Sequence, residues 1–258
     1  MLPDTTIDLT ISTVYFNSKH IGKTVRSVSQ NLFKGVFEHF IVDNNSSDKS
    51  FLESIGRHSW LRIVANEQNI GFAKANNVAL QRAHGKYFLY LNPDIQLEPD
   101  ALNKLTLFMD ATPTAVAVGC RMTDKDNRLL ASCRRFPTLR IVCSRFLSWV
   151  PGTSKLLAYY EMKDVDHSVM QNVDWISGSL LLCRTELLKK IDGMDERYFL
   201  YFEDVDLCRT LRQFGSVVYF PNVSAIHLTE HSSRKNFKLF SFHIRSALTY
   251  FLKWGVTF

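Results

Sequence analysis

The first half of the chain alternates apolar, β-branched segments with amphipathic segments, and no other feature of the sequence limits the fold as strongly. Strands are predicted at residues 7–14, 37–42, 61–65, 87–91 and 115–120. Helices are predicted between them at residues 20–30, 48–55, 72–83 and 100–110. This β-α-β-α order predicts an α/β fold with a Rossmann-like, mostly parallel central sheet and helices on both faces.

The second half of the chain is less regular. A buried strand is predicted at residues 176–183, and a helix at 202–214 that Gly215 closes. Two short strands follow at residues 217–220 and 223–226. Because the 258 residues contain no repeat, low-complexity tract or linker, we predict one domain with a C-terminal helical appendage.

Composition excludes several classes of protein. With 46% hydrophobic and 22% charged residues the chain is globular, and its net charge of +6 favours anionic partners. The five cysteines form no CxxC pair, which argues against a disulfide framework or a zinc knuckle. The first ten residues lack the apolar core of a signal peptide, and no apolar stretch reaches the ~20 residues of a spanning helix. We therefore predict a cytoplasmic protein.

Familiar nucleotide and hydrolase motifs are absent from the sequence. There is no GxGxxG, HExxH or GxSxG, and Gly22-Lys23-Thr24 lacks the first glycine of a phosphate loop because position 17 is asparagine. The basic, aromatic segments are not accompanied by a nucleic-acid-binding module, so we predict no nucleic-acid partner.

Polar residues follow the predicted strands, where ligands bind in sheets of this kind. Four stretches stand at strand ends, in this order: residues 41–48 (IVDNNSSD), 69–77 (NIGFAKANN), 91–94 (LNPD), and 175–178 (WISG) continuing to 201–206 (YFEDVD). Together they resemble family 2 glycosyltransferases with the GT-A fold, most nearly the bacterial rhamnosyltransferases that build surface polysaccharides such as O-antigen. The resemblance covers roughly residues 7–233. It implies a GT-A domain at 1–233, with a nucleotide-binding half at 1–120, a catalytic half at 121–233, and a basic amphipathic helix at 234–258.

The resemblance places the nucleotide sugar against the first half of the chain. Asp43 would contact the nucleobase through its imide N–H, or alternatively would only cap the turn that follows it. The resemblance also implies that the end of the first strand lines this pocket, through Thr13, Tyr15 and Asn17. Tyr15 is equally consistent with ordinary packing.

The helix that follows the third strand is a candidate diphosphate site. Asn69 and Gly71 begin this helix, whose first N–H groups suit an anion. Lys74 would add a positive charge near the diphosphate, or would be a solvated helix residue.

Asn92-Pro93-Asp94 corresponds to the family's Asp-x-Asp metal signature. Asp94 is expected to bind Mg²⁺ or Mn²⁺, which prefer oxygen ligands and bridge phosphates, while Asn92 offers only a neutral oxygen. By resemblance His227 is a second metal ligand, and His231 is a weaker substitute. The alternative for Asp94 is a turn aspartate after proline.

Glu203 and Asp204 open the predicted helix at 202–214, where acidic residues also simply complement the helix dipole. By resemblance Asp204 is the catalytic base, with Glu203 and Asp206 as substitutes. Trp175, Ser177 and Gly178 are expected to shape the sugar or acceptor pocket, and the alternative for Trp175 is a core residue.

Two basic stretches without acidic residues, 128–160 and 231–258, mix cations with apolar side chains. They predict contact with an anionic membrane or, alternatively, a solvated face with a dimer or packing helix. The expected enzyme is peripheral on the cytoplasmic face and inverts configuration as it moves rhamnose from dTDP-rhamnose to a polyprenyl-diphosphate-linked saccharide. Alternative donors are a UDP-hexose or a UDP-galactofuranose-like sugar. A sugar nucleotidyltransferase is the rival class, but residues 10–17 lack its glycine-rich signature.

Overall fold

The architecture follows from a computed structural model that describes residues 6–55, 58–146, 152–228 and 237–256. The described residues form twelve strands and nine helices in the following order: β1 (Leu9–Tyr15), α1 (Ile21–Ser29), β2 (Phe37–Asp43), α2 (Ser50–Ser54), β3 (Leu61–Ala65), α3 (Phe72–Leu80), β4 (Tyr87–Leu91), β5 (Ile95–Leu97), α4 (Ala101–Ala111), β6 (Ala115–Thr123), β7 (Leu129–Leu130), β8 (Cys133–Arg134), α5 (Leu139–Phe146), α6 (Thr153–Tyr160), β9 (Gln171–Asn172), β10 (Trp175–Ile176), β11 (Leu180–Arg184), α7 (Thr185–Lys190), α8 (Glu203–Leu211), β12 (Ser216–His227) and α9 (Phe237–Trp254).

One ten-stranded sheet organises the molecule, in the order β3-β2-β1-β4-β11-β6-β12-β5, with β7 beside β6 and β9 beside β12. The strands β3, β2, β1 and β4 run parallel. The strand β11 runs antiparallel to both β4 and β6, and β12 is parallel to β6. The parallel strands therefore end at one edge, which receives the loops after β1, β2, β3 and β4.

Apolar cores lie on the two faces of this sheet. One core brings together α3, α8, α9 and the short strand β10, and the other is formed by α4 with the opposite face of the central strands. Every residue of β4 (YFLYL) is buried, as expected for a strand covered on both sides.

The predicted α/β architecture and the C-terminal helix are confirmed, and the predictions for β3 and β4 match to the residue. The sheet is mixed rather than mostly parallel, because β11 inserts antiparallel between β4 and β6. The single strand predicted at 176–183 is divided into β10 and β11 by a turn at residues 177–179. The two short strands predicted at 217–226 are one strand, β12, with an irregularity between Phe220 and Ser224.

Several elements were not predicted from the sequence, namely β5, β7, β8, β9, α5, α6 and α7. The predicted boundary at residue 233 falls outside the described residues, as does His231, and the division into 1–120, 121–233 and 234–258 stays a prediction. Among the described helices, α9 included, none combines the length and the apolarity that crossing a bilayer would require.

Candidate active site

The ends of β1 and β2 form one wall of the site. Tyr15 and Asp43 lie opposite each other in the parallel register, and both are almost completely buried. The hydroxyl of Tyr15 donates to the backbone oxygen of Asp48 at 2.8 Å, and burial raises the pKa of this phenol. Asp43 Oδ1 accepts the Ser46 N–H at 2.8 Å, so Asp43 does cap the turn, and Oδ2 lies 4.0 Å from Lys49 Nζ. Contact with a nucleobase would therefore involve Oδ2.

Asn17 joins the two loops that follow these strands. It has a positive φ of 55°, and its Oδ1 accepts the backbone N–H of Ser47 at 2.8 Å and that of Asp48 at 3.3 Å. Thr13, by contrast, is completely buried two residues deeper in β1, with its hydroxyl 2.8 Å from His39 Nε2. Thr13 thus links β1 to β2 through this contact, and its expected place in the nucleotide pocket stays a prediction.

Asn44 organises this region, although the sequence analysis did not select it as a site residue. Its side chain is buried, and Nδ2 donates to Asn69 Oδ1 at 2.8 Å. Its Oδ1 accepts the Ile70 N–H at 3.0 Å and the Asn66 Nδ2 at 3.2 Å. One amide thus holds the loops after β2 and β3 together. An asparagine pair at a strand end, Asn44-Asn45, was the only sequence signal.

The start of α3 differs from the expectation of free N–H groups. The Gly71 N–H donates to Asn69 Oδ1 at 3.0 Å, and the Phe72 N–H donates to the Phe199 backbone oxygen at 2.8 Å. These two donors are therefore occupied within the protein, and the expected anion site at this helix start stays a prediction. Lys74 is exposed and lies 3.9 Å from a carboxylate oxygen of Glu196.

Gly71 is required where it stands. Its φ of +86° is rarely adopted by other residues, and a Cβ added there would lie 2.6 Å from the Phe199 backbone oxygen. This close approach joins the loop after β3 to the segment that precedes α8.

Asp94 and His227 meet although they are 133 residues apart. The short strand β5 pairs antiparallel with the end of β12, which sets Ile95 opposite His227. His227 Nε2 lies 3.1 Å from Asp94 Oδ2, and the Leu228 N–H donates to the Asp94 backbone oxygen at 2.8 Å. Both side chains are mostly shielded from solvent: that of His227 is 19% exposed and that of Asp94 is 15% exposed. The structure thus brings together the two residues predicted as metal ligands.

The oxygen and nitrogen atoms near Asp94 suit a divalent cation only in part. Asn92 Oδ1 is buried and accepts no hydrogen bond from the described residues. Yet no group of three His, Cys, Asp or Glu side chains with metal-binding geometry occurs within the described residues. A carboxylate, an imidazole and an amide oxygen fit a weak site that phosphate oxygens would complete.

Trp175 lies in β10 and Ser177 and Gly178 lie in the turn that follows it, with Trp175 buried in the core at 5% exposure. The strand β10 pairs with β8, so Trp175 lies opposite Arg134, whose guanidinium stands over the indole 4.9 Å from its centroid. The indole N–H donates to the Arg135 backbone oxygen at 2.8 Å. Ser177 and Ser179 hydroxyls are 2.9 Å apart in the turn that separates β10 from β11.

Asp204 is fixed against this turn. Its Oδ2 accepts the Gly178 N–H at 3.0 Å, and its Oδ1 accepts the N–H of Val205 at 2.9 Å. A Cβ on Gly178 would lie 3.3 Å from the Asp204 Cβ, so the glycine permits the close approach. The carboxylate thus has a defined orientation, which a general base requires.

Glu203 and Asp204 are a coupled pair of carboxyls. Burial raises the pKa of Asp204 above its ordinary 3.8, while the Gly178 N–H and the Arg134 guanidinium act in the opposite direction. Burial and the neighbouring charge of Asp204 hold the pKa of Glu203 well above its usual range. The Gly178 N–H and the Arg134 guanidinium thus favour the ionised form of Asp204. Arg134, which sequence analysis placed only in a basic stretch, is therefore part of the site.

A strained turn presents this pair. Tyr201 and Phe202, immediately before α8, have φ values of 70° and 67°, which are unusual for aromatic residues. Both rings contact His243 of α9, with centroids 5.1 Å and 5.3 Å away. Packing against α9 therefore maintains the turn.

Asp206, named as a substitute base, belongs to a different environment. It is buried and accepts hydrogen bonds from Lys253 Nζ at 2.8 Å, Trp254 Nε1 at 2.6 Å and the Tyr198 hydroxyl at 3.2 Å. It also lines a separate cavity of about 590 Å³ between α3, α8 and the end of α9. Asp206 thus fastens α9 to the domain and is not available as the base.

The two halves of the site share one edge of the sheet. Leu180 of β11 lies opposite Leu91 of β4. Just beyond this pair, the Asn92 N–H donates to the Ser179 backbone oxygen at 2.8 Å. The loop that carries Asp94 is therefore hydrogen-bonded to Ser179. The preceding residue of the same turn, Gly178, donates its N–H to Asp204.

This fold and this arrangement of polar residues define a GT-A-type glycosyltransferase. The chain belongs to the family described as glycosyl transferase family 2, whose sequence model matches residues 10–191. The rhamnosyltransferase WbbL of Escherichia coli (strain K12) is 30% identical over 226 residues, which are 83% of this chain and 82% of the relative.

Two further proteins are similar. An N-acetylglucosaminyl-diphospho-decaprenol L-rhamnosyltransferase of Mycobacterium tuberculosis (strain CDC 1551 / Oshkosh) is 27% identical over 243 residues, covering 88% of this chain and 77% of the relative. The crystal structure of GalNAc-T7 with UDP, GalNAc and Mn²⁺ superposes with a TM-score of 0.66 at 14% identity. That comparison covers 89% of this chain but only 45% of GalNAc-T7, and it establishes the fold alone.

Proposed function

We propose that this glycosyltransferase moves L-rhamnose from dTDP-rhamnose to a saccharide carried on a polyprenyl diphosphate, with inversion at the anomeric carbon, in the synthesis of a surface polysaccharide. Two of its relatives carry rhamnosyltransferase names, and one of these names specifies a diphospho-decaprenol-linked substrate. A UDP-hexose or a UDP-galactofuranose-type sugar is the alternative donor. The expected location is the cytoplasmic face of a membrane.

The observation that carries this proposal is the oriented, partly buried carboxylate of Asp204 on the edge that also bears Asp94. An acceptor hydroxyl must lose its proton as its oxygen attacks the anomeric carbon. Asp204 takes that proton, a new C–O bond forms, and the bond between the anomeric carbon and the diphosphate oxygen breaks. The electron pair of that bond leaves with dTDP. Attack from the face opposite the diphosphate inverts the configuration.

We infer that Asp94 and His227, with Asn92 beside them, hold Mg²⁺ or Mn²⁺ together with the diphosphate. The cation would neutralise the negative charge that develops on the departing diphosphate. Because Asn92 stands where the family's signature has a carboxylate, the protein alone would bind the cation weakly, and the nucleotide would supply further oxygen ligands. Tyr15 and Asp43 contact the nucleoside in this proposal, and Trp175 with Ser177 faces the acceptor.

A donor panel tests the proposal. Release of nucleoside diphosphate is measured for dTDP-rhamnose, UDP-hexoses and UDP-galactofuranose, with Mg²⁺ or Mn²⁺, in the presence and absence of a polyprenyl-diphosphate-linked saccharide. We expect acceptor-dependent release that is fastest with dTDP-rhamnose. Faster turnover of a UDP sugar would show that this sugar, and not dTDP-rhamnose, is the preferred donor. Release without any sugar transfer would remove the transferase proposal altogether.

A pair of variants tests the metal assignment. Asp94→Ala is expected to weaken the metal-dependent part of donor binding, and Asp192→Asn serves as the control because Asp192 is exposed and its positive φ of 58° suits asparagine. Donor affinity of Asp94→Ala that equals that of the control at every metal concentration would contradict the assignment.

A further inference from the structure

The helix α9 has two chemically different faces. Its inner face buries Ser246, Ala247, Tyr250 and Phe251 against the domain. Its outer face leaves three large apolar residues in water: Phe237 is 84% exposed, Leu248 is 59% exposed and Leu252 is 88% exposed. Their spacing of eleven and four residues places them on one side of the helix. An apolar stripe opposite a packed face points to a second contact surface.

The charge on this helix has one sign. Lys238 and Arg245 are exposed on the same side as the stripe, and residues 237–256 contain neither Asp nor Glu. The remaining lysine, Lys253, donates to Asp195 and Asp206 and so belongs to the attachment of α9 to the domain. A partner must therefore accept apolar side chains and carry negative charge.

The helix contacts two segments that adjoin the candidate active site. Phe242 stacks on Phe199 with centroids 4.6 Å apart, and Phe199 is the residue whose backbone oxygen accepts the Phe72 N–H. His243 contacts the aromatic turn before Glu203 and Asp204. A surface bound to the outer face of α9 would therefore lie beside the cleft.

We propose that the outer face of α9, defined by Phe237, Lys238, Arg245, Leu248 and Leu252, docks on the anionic leaflet of a lipid bilayer. This inference rests on the proposed function, because a lipid-linked acceptor is presented at such a surface. A second copy of the chain fits less well, since a symmetric contact between two such faces would bring like charges together. The leaflet supplies both the apolar layer and the negative charge.

Vesicle flotation tests the docking directly. The protein is mixed with vesicles of phosphatidylcholine alone, or of phosphatidylcholine and phosphatidylglycerol in equal parts. We expect flotation only with the anionic vesicles, and weaker flotation at high salt. Each of Leu248→Ser and Leu252→Ser is expected to reduce partitioning about tenfold, since each removes most of the transfer free energy of one leucine.

The matched control is Leu107→Ser, because Leu107 is 64% exposed on α4, which packs on β6 and β12 away from α9. Unchanged flotation of this control is expected. No flotation of the unaltered protein, or equal losses in the control and the α9 variants, would overturn the proposal. A dimer in sedimentation analysis that Leu252→Ser converts to a monomer would instead identify a second copy as the occupant.

Turnover separates this inference from the proposed function. The α9 variants are expected to keep their rate with a water-soluble, short-chain acceptor and to lose rate only with an acceptor embedded in anionic vesicles. Equal rates on both acceptors would contradict docking even when rhamnosyl transfer occurs. Flotation, in turn, is measured without any donor and stands even when the donor assignment fails.

Discussion

Replacing Asp204 with asparagine removes the proposed base while keeping its shape. In the native site two backbone N–H groups, from Gly178 and Val205, donate to the two carboxylate oxygens. The asparagine side chain has one acceptor oxygen, so it retains one of these hydrogen bonds and loses about 1 kcal/mol with the other. Loss of general-base catalysis is expected to lower kcat about 10²- to 10⁴-fold, equivalent to about 3–5 kcal/mol in the barrier.

The same substitution has a pH-dependent effect on stability whose sign follows from the raised pKa of Asp204. A carboxyl with a folded pKa above its unfolded pKa stabilises the fold when protonated. That contribution is fully present below the unfolded pKa and is lost as pH rises through the folded pKa. Asparagine does not titrate, so the variant lacks this pH dependence. As pH rises from acid to neutral, the difference in the free energy of unfolding between the two proteins is expected to shift in favour of Asp204→Asn.

Steady-state kinetics with the donor and a soluble acceptor measure the first effect, and thermal unfolding across pH measures the second. Asp192→Asn is the control, because Asp192 is exposed and has a positive φ of 58°, a conformation that asparagine also adopts. A kcat within about tenfold of this control would refute the role of Asp204 as the base. Nucleotide affinity is expected to stay unchanged in both variants.

Substitutions at three further positions test separate parts of the proposal. Gly71→Ala should destabilise the protein by about 1–3 kcal/mol, because its Cβ would lie 2.6 Å from the Phe199 backbone oxygen at a positive φ; an unchanged melting temperature would contradict this. Arg134→Gln should move the acid limb of kcat/KM to higher pH, because the guanidinium favours ionised Asp204. Arg134→Lys keeps the positive charge and should therefore show a smaller shift. Identical pH profiles of the native protein and Arg134→Gln would exclude this role. Asn92→Asp should lower the Mn²⁺ concentration needed for half-maximal activity by adding a carboxylate ligand, and an unchanged or higher requirement would argue against a cation beside Asn92.

The first half of the fold was accessible from the sequence because its signals are local. The β-branched and aromatic runs of β3 and β4 are bounded by polar residues, and their ends matched the structure. The antiparallel position of β11 was not accessible, because the choice of neighbouring strand depends on packing between segments far apart in sequence. The helices α5 and α6 were missed because they are short, and α6 has no side-chain cap.

The site was accessible only in part for the same reason. Asp94, His227 and Asp204 were selected because they match motifs of the family that the sequence resembles, and the structure places Asp94 against His227. The roles of Asn44 and Arg134 come from partners 22 to 70 residues away, so no local pattern marks them.

The anomeric configuration of the product tests the central claim most directly. Asp204 is proposed to activate the acceptor on the side of the sugar opposite the diphosphate, and this arrangement allows a single displacement. Nuclear magnetic resonance of the first product formed from dTDP-rhamnose and a synthetic lipid-linked acceptor reports that configuration. The account predicts a rhamnosyl linkage of opposite configuration to the donor. A linkage with the configuration of the donor would contradict it.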